Sequence, residues 1–168
     1  MKLDEAKKQF IQPWGTLGSE WGINRTMAQV HALLLISSGA LCTEDIMQEL
    51  NVSRGNANMN LRELMNWTLI NKELVPGDRK EYFVAEKDIW IIAKTIARER
   101  KRREIEPVLK VLNSLKEIEG DKKDKEIKAF TETVGNLSNF VDKMDKSVDM
   151  MLKADENWFF GTILKMIR

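Results

Sequence analysis

The stretch that decides the fold is residues 51–85, NVSRGNANMNLRELMNWTLINKELVPGDRKEYFVA. Its first half places Ala57, Leu61, Leu64 and Met65 at i, i+4, i+7 and i+8, the single apolar stripe of an amphipathic helix. Its second half predicts a hairpin. Leu69, Ile70, Leu74 and Val75 make a first strand, and Tyr82, Phe83 and Val84 a second. Between them, Pro76-Gly77-Asp78 is strong turn chemistry. Working backward, TEDIMQEL (43–50) predicts a short helix with Ile46 and Leu50 on one face. Thr43 suits its N-cap, and Glu44 and Asp45 favour its positive end. Asn51 tolerates the left-handed conformation that ends a helix, Val52 suits an apolar plug, and Ser53 suits the next N-cap. Helix, tight turn, helix and hairpin compose a winged helix-turn-helix, which sets its second helix in a DNA major groove.

The outward face of that second helix carries Gly55, Asn56, Met59, Arg62, Glu63 and Asn66, with Asn58 and Asn60 on its flanks. Ser53 and Arg54 project from its first turn. A solvated helix face is usually built of Glu and Lys, and Asn is a poor helix former. Asn amides and Arg guanidinium groups do bind base edges, adenine N6/N7 and guanine O6/N7 respectively. The bland alternative is a polar face without a partner. Arg79 and Lys80 follow the turn, where a wing tip meets the DNA backbone or minor groove.

The run VSRGNANMNLRELMNW, followed by GDRKEYF, resembles the recognition helix and wing of the GbsR-type branch of the MarR-like transcriptional regulators. The resemblance takes in RERKRRE (98–104) and EPVL (106–109), and spans roughly residues 10–115. It implies a dimeric winged-helix protein that binds double-stranded DNA and often answers a small molecule. By position, Ser53, Arg54, Asn56, Asn58, Asn60 and Arg62 fall in the recognition helix, and Arg79 and Lys80 in the wing. The chain departs at Thr68, where the resemblance leads one to expect Gly. The last 50 residues lie outside it.

A length of 168 residues suits a DNA-binding domain over 1–87 and a helical dimerisation region over 88–168. The fold class expected is mainly α with a small β-wing. No apolar run reaches membrane-spanning length and MKLDEAKKQF lacks a signal peptide's apolar core, so a cytoplasmic protein without membrane association is expected. The single cysteine, Cys42, excludes an intramolecular disulfide, and a buried structural thiol is the simpler reading than a redox sensor. His31, the single histidine, reads as a packing residue. No phosphate-binding glycine loop, metal cluster or catalytic pairing stands out, so neither an enzyme nor a metal or cofactor protein is expected. Charge argues weakly against DNA: residues 1–85 hold nine Lys/Arg against ten Asp/Glu. The densest basic patch is RERKRR (98–103), five cations in six residues, which suits either phosphate contact or simple solvation.

The flanks are helical. Leu3, Ala6, Phe10, Ile11 and Trp14 predict a helix over 3–14, and Met27, Val30, His31, Leu34 and Leu35 one over 24–37. Asp88 opens a long helix with Ile89, Ile92, Ala93 and Ile96 on one side, and Pro107 disfavours helical geometry at Glu106, predicting a kink or break. Ile127, Phe130, Val134, Leu137, Val141, Met144, Val148 and Met151 step by 3 and 4 in alternation, a heptad seam on a helix over 122–153. Its partner helix comes either from a second subunit, forming a homodimer, or from residues 88–118. The tail WFFGTILKMIR (158–168) is expected to dock on the dimer.

The function expected is that of a homodimeric, sequence-specific DNA-binding transcriptional regulator, acting as a repressor. The alternative is a winged-helix protein-interaction module whose coiled-coil arm binds a protein. An aromatic cage from Trp14, Trp21, Trp67, Trp90 and Trp158 would suit a quaternary ammonium effector, but core packing explains most of them.

Overall fold

The computed structural model describes residues 1–20, 22–118, 124–155 and Gly161. The chain divides into two compact units, Met1–Ile92 and Ala93–Arg168, each described by itself.

The first unit holds α1 (Leu3–Glu20), α2 (Arg25–Ile36), β1 (Leu41–Cys42), α3 (Thr43–Leu50), α4 (Arg54–Asn66), β2 (Ile70–Glu73) and β3 (Tyr82–Ala85). It also holds the start of α5 (Ile89–Arg100). Helix α2 is the central element, with Val30, His31, Ala32, Leu33 and Leu34 all buried. A helix that is apolar nearly all round belongs in a core. Asn24 caps it, its Oδ1 accepting from the backbone N–H groups of Thr26 (2.8 Å) and Met27 (3.2 Å). Helices α1, α3 and α4 and strand β3 all pack on it. Helix α1 runs past the expected residue 14 to Glu20 and carries Pro13 inside it. It approaches α2 closely because Gly18 lacks a Cβ; one built there would lie 2.5 Å from the Cβ of Ala28. Leu3, expected on the apolar face, is exposed. The sheet is antiparallel in the order β1-β3-β2, with Leu41 opposite Phe83 and Ile70 opposite Ala85. Leu34, Ile46, Leu61, Leu64 and Ile70 are fully buried, each contributing about 1.5–3 kcal/mol.

Two polar features belong to this core. His31 is buried with Nε2 unpartnered; burial first, and the nearby Lys87 charge second, push its pKa down to about 4. Lys87 itself donates from Nζ to the carbonyls of Leu34 (2.7 Å), Leu35 (2.6 Å) and Ser37 (3.0 Å). A cation there satisfies the orphan acceptors at the C-terminal end of α2.

In the second unit, the remainder of α5 passes through a π-helical turn, Lys101–Ile105, into α6 (Glu106–Ser114); α7 (Lys125–Lys153) follows. Pro107 neither breaks the helix nor moves Glu106 out of helical geometry, contrary to expectation: Glu106 has φ −59° and ψ −41°. The widened turn accommodates a proline that has no N–H to give and a ring that would crowd the preceding turn. Helix α7 is about 43 Å long at 1.5 Å per residue. Asp124 caps it by accepting from the Glu126 N–H at 2.7 Å. It packs on α6 and the π-turn. Lys101 Nζ lies 3.2 Å from Asp145 and 2.6 Å from Asp149. Lys94 Nζ donates to the Ala154 carbonyl at 3.1 Å. Among the described residues no helix is long and apolar enough to cross a membrane.

Candidate nucleic-acid interface

The helix-turn-helix is α3, residues 51–53 and α4. Thr43, expected as the N-cap of α3, is its first helical residue; Cys42 holds the cap position, its N–H donating to Asp45 Oδ2 at 2.8 Å. The Cys42 side chain is buried, and burial pushes its thiol pKa up. Asn51 closes α3 in the left-handed region (φ 51°, ψ 51°), with Val52 N–H donating back to the Met47 carbonyl at 3.2 Å. Ser53 Oγ then caps α4 by accepting from the Asn56 N–H at 3.3 Å.

Helix α4 buries Ala57, Asn60, Leu61 and Leu64. Asn60 is therefore a correction: it was expected among the DNA-facing residues, yet it is only 2% exposed. Its Nδ2 donates to the Asn56 backbone carbonyl at 2.8 Å and to Asn56 Oδ1 at 2.7 Å. Ser53, Arg54, Gly55, Met59 and Arg62 are exposed, and Asn56 and Asn58 are half-buried. Arg54 Nη2 lies 2.7 Å from Glu44 Oε1 across the turn. The Cys42 side chain and Arg54, both hydrogen-bonded to Glu44, hold its carboxyl down at about 2. Thr43 Oγ1 donates to Asn58 Oδ1 at 3.3 Å.

The exit from α4 is the position where Gly was expected. Thr68 takes the left-handed conformation, φ 58°. Its N–H donates to the Met65 carbonyl at 2.8 Å and the Leu69 N–H to the Leu64 carbonyl at 3.0 Å. These are the two bonds of a Schellman closure, built on a β-branched residue that the left-handed region disfavours.

The wing turns at Pro76 and Gly77 (φ 85°), with the Asp78 N–H returning to the Val75 carbonyl at 3.1 Å. Strand β2 ends at Glu73, so Leu74 and Val75, expected inside it, lie in the loop, and Leu74 is 90% exposed. Asp78 organises the tip: it accepts from the Lys80 N–H (2.9 Å) and the Tyr82 hydroxyl (2.8 Å). Those bonds lower its own pKa and push Tyr82 up to about 12. Lys72 pairs with Glu81 across the hairpin. Arg79 and Lys80 are exposed beside this ordered tip.

The basic run 98–103 is largely paired within the second unit. Arg100 meets Glu104 at 3.0 Å, Arg102 and Arg103 meet Glu99 at 2.6 and 3.7 Å, and Lys101 meets α7 as above. Its field is much weaker than its composition suggests.

The expected heptad seam divides. Val134 is buried and Ile127, Val141, Val148 and Met151 are half-buried, whereas Phe130, Leu137 and Met144 are exposed. Ser138, which no apolar pattern selects, is buried beside Val134, and Phe140 is 61% exposed. The inner edge of the seam follows α6 and the π-turn; the outer edge is uncovered. The aromatic tail, apart from Gly161, and Trp21 lie outside the described residues. Of the tryptophans, Trp67 is buried in the core and Trp14 stacks on Phe10 with ring centroids 5.2 Å apart.

No family model matches the chain, and no curated protein matches it. Among solved structures, a crystal structure described as that of a transcriptional regulator has the same fold. It superposes with a TM-score of 0.58 at 16% identity, covering 86% of this chain and 99% of that one.

Proposed function

We propose that this chain is a sequence-specific, DNA-binding transcriptional regulator that acts as a homodimer. The observation that carries the proposal is the surface formed by the exposed Arg54 and Arg62 and the half-buried Asn56 and Asn58 on the second helix of a helix-turn-helix, with Arg79 and Lys80 exposed on an ordered wing. Helix α4 enters a major groove and the wing lies on the adjoining backbone. The solved structure of like fold is a regulator, and the recognition-helix and wing motifs resemble the GbsR-type branch of the MarR-like family; both support the reading. Repression, by occupying a near-palindromic site, is the mode we propose, and the resemblance extends the proposal to a small-molecule effector.

The homodimer rests on the outer edge of α7. Phe130, Leu137, Phe140 and Met144 form a large exposed apolar stripe at helical spacing, and such stripes mark interaction surfaces. We assign residues 1–87 to DNA binding and 88–168 to assembly.

Selection of bound duplexes from random DNA tests the reading: one enriched, two-fold-related motif is expected. The wing contributes separately. Arg79→Ala with Lys80→Ala should reduce the slope of log K against log salt by about two, near one per lost phosphate contact. An unenriched pool would favour the second reading, a winged helix serving protein interaction. That reading draws on the near-neutral first unit and the internally paired basic run.

A further inference from the structure

The amides of α4 are oriented before any ligand arrives. Asn60 Nδ2 faces the Asn56 backbone carbonyl at 2.8 Å. A carbonyl only accepts, so the Asn60 nitrogen and not its oxygen must point there. The second hydrogen of that nitrogen is directed at the Asn56 side chain, 2.7 Å away. Asn56 must therefore turn its Oδ1 inward and its NH2 outward. The orientation follows from a backbone acceptor through two amides. Asn56 is held at a third point, because its backbone N–H donates to Ser53 Oγ. On the neighbouring flank, the Thr43 hydroxyl donates to Asn58 Oδ1 at 3.3 Å, but a hydroxyl can also accept and so fixes no amide orientation. Arg54 and Arg62 carry donors only.

We propose that Asn60 presets the Asn56 amide as an outward donor, so that Asn56 reads the acceptor edge of guanine and not adenine. An amide reads adenine by giving a hydrogen to N7 while accepting one from N6, which requires both its nitrogen and its oxygen at the groove. With Oδ1 held inward, Asn56 offers two hydrogens and no outward acceptor. Guanine presents N7 and O6, two acceptors side by side. Asn56 sits at the third residue of α4, in the N-terminal stretch that meets base edges in this motif. Asn60 touches no base in this scheme. It is a positioning residue, buried because its task is to hold another amide.

The inference rests on the DNA-binding reading above, and the test separates the two. The base pair read by Asn56 is located as the one whose preference disappears in Asn56→Ala. Guanine is expected there in the selected site. Replacing it with 7-deazaguanine, which lacks N7, should weaken binding by roughly 5-fold or more, while 7-deazaadenine elsewhere in the half-site should matter little. Asn60→Ala releases the Asn56 amide to turn over. It should let adenine compete at that position while other positions keep their preferences, an outcome that general loss of stability would not give. Asn56→Asp, with no donors left, should lose guanine and shift toward cytosine, whose N4 donates. A wild-type site with adenine at this position, sensitive to 7-deazaadenine, overturns the inference while leaving the DNA-binding reading intact. So does an unchanged base preference in a folded Asn60→Ala protein. Failure to enrich any sequence overturns the DNA-binding reading and the inference with it.

Discussion

Helices α4 and α7 both leave a face uncovered, and the two faces are made of opposite material. On α4 the uncovered groups are amides and guanidinium groups, with Asn56 hydrogen-bonded to the buried Asn60 and Arg54 paired with the Glu44 carboxylate. On α7 they are phenyl, isobutyl and thioether groups, 43% to 61% exposed. The first face suits a polar, hydrated partner and loses nothing by waiting in water. The second carries a standing cost of exposure that only another apolar surface removes.

The widest separation is expected within α7 itself. Val134→Lys places an unpaired charge inside the second unit and should cost about 3–5 kcal/mol in a denaturant titration. Leu137→Lys with Met144→Lys, on the outer edge, should change the stability of the folded chain by less than about 0.5 kcal/mol. That double variant should nonetheless sediment as a monomer and bind its operator weakly. If it remains dimeric, α7 is not the assembly surface and the contrast with α4 collapses.

Acid should act on the first unit through His31. Its folded pKa, about 4, lies below its ordinary 6.5, so between those values the unfolded chain binds the proton more readily. Stability is complete above pH 6.5 and falls as the pH drops toward 4, by up to about 3 kcal/mol. Urea titrations across this range measure it, and His31→Leu should flatten the profile. A slope unchanged in that variant would assign the acid sensitivity to carboxylates instead.

Arg54→Ala should cost about 1–3 kcal/mol on the selected site and far less on random duplex. Equal losses on both would make Arg54 a phosphate contact and leave the α4 face one base contact poorer. The smallest effect is expected at the exit from α4, where Thr68→Gly should stabilise the protein by about 0.5–1 kcal/mol. Relief of the left-handed strain outweighs the entropy that glycine adds to the unfolded chain. Thermal melting at matched concentration reads it, and a lower midpoint would mean the threonine side chain makes a contact worth more than the strain.

Local chemistry was legible in the sequence, and so were the elements it builds. The caps at Ser53 and Asp88, the left-handed Asn51, and the turn at Pro76-Gly77 each depend on one to three neighbouring residues. What escaped depends on partners far along the chain or on one step of helical phase. Asn60 lies one residue from the buried Leu61, and a polar residue on a flank gives no sign of which way it turns. Arg100, Arg102 and Arg103 pair locally with Glu104 and Glu99, but Lys101 of the basic run meets Asp145 and Asp149 on α7, more than forty residues away. The seam on α7 looked uniform because a heptad count assigns every a and d position to one partner. Here Ser138 takes part in the inner packing while Leu137 next to it does not. The π-turn before Pro107 has no pattern of its own; the proline announces a disturbance without specifying its form.

Lys87 fastens the chain to the end of α2 just two residues after β3 ends. The hairpin is thus a cantilever, clamped at its root by three charge-assisted bonds and exposed at its tip. A clamped beam meets an uneven surface by flexing along its length, not by swinging about its base. Any displacement of the wing should therefore be taken up in the twist of β2 and β3, while its root stays fixed on the end of α2.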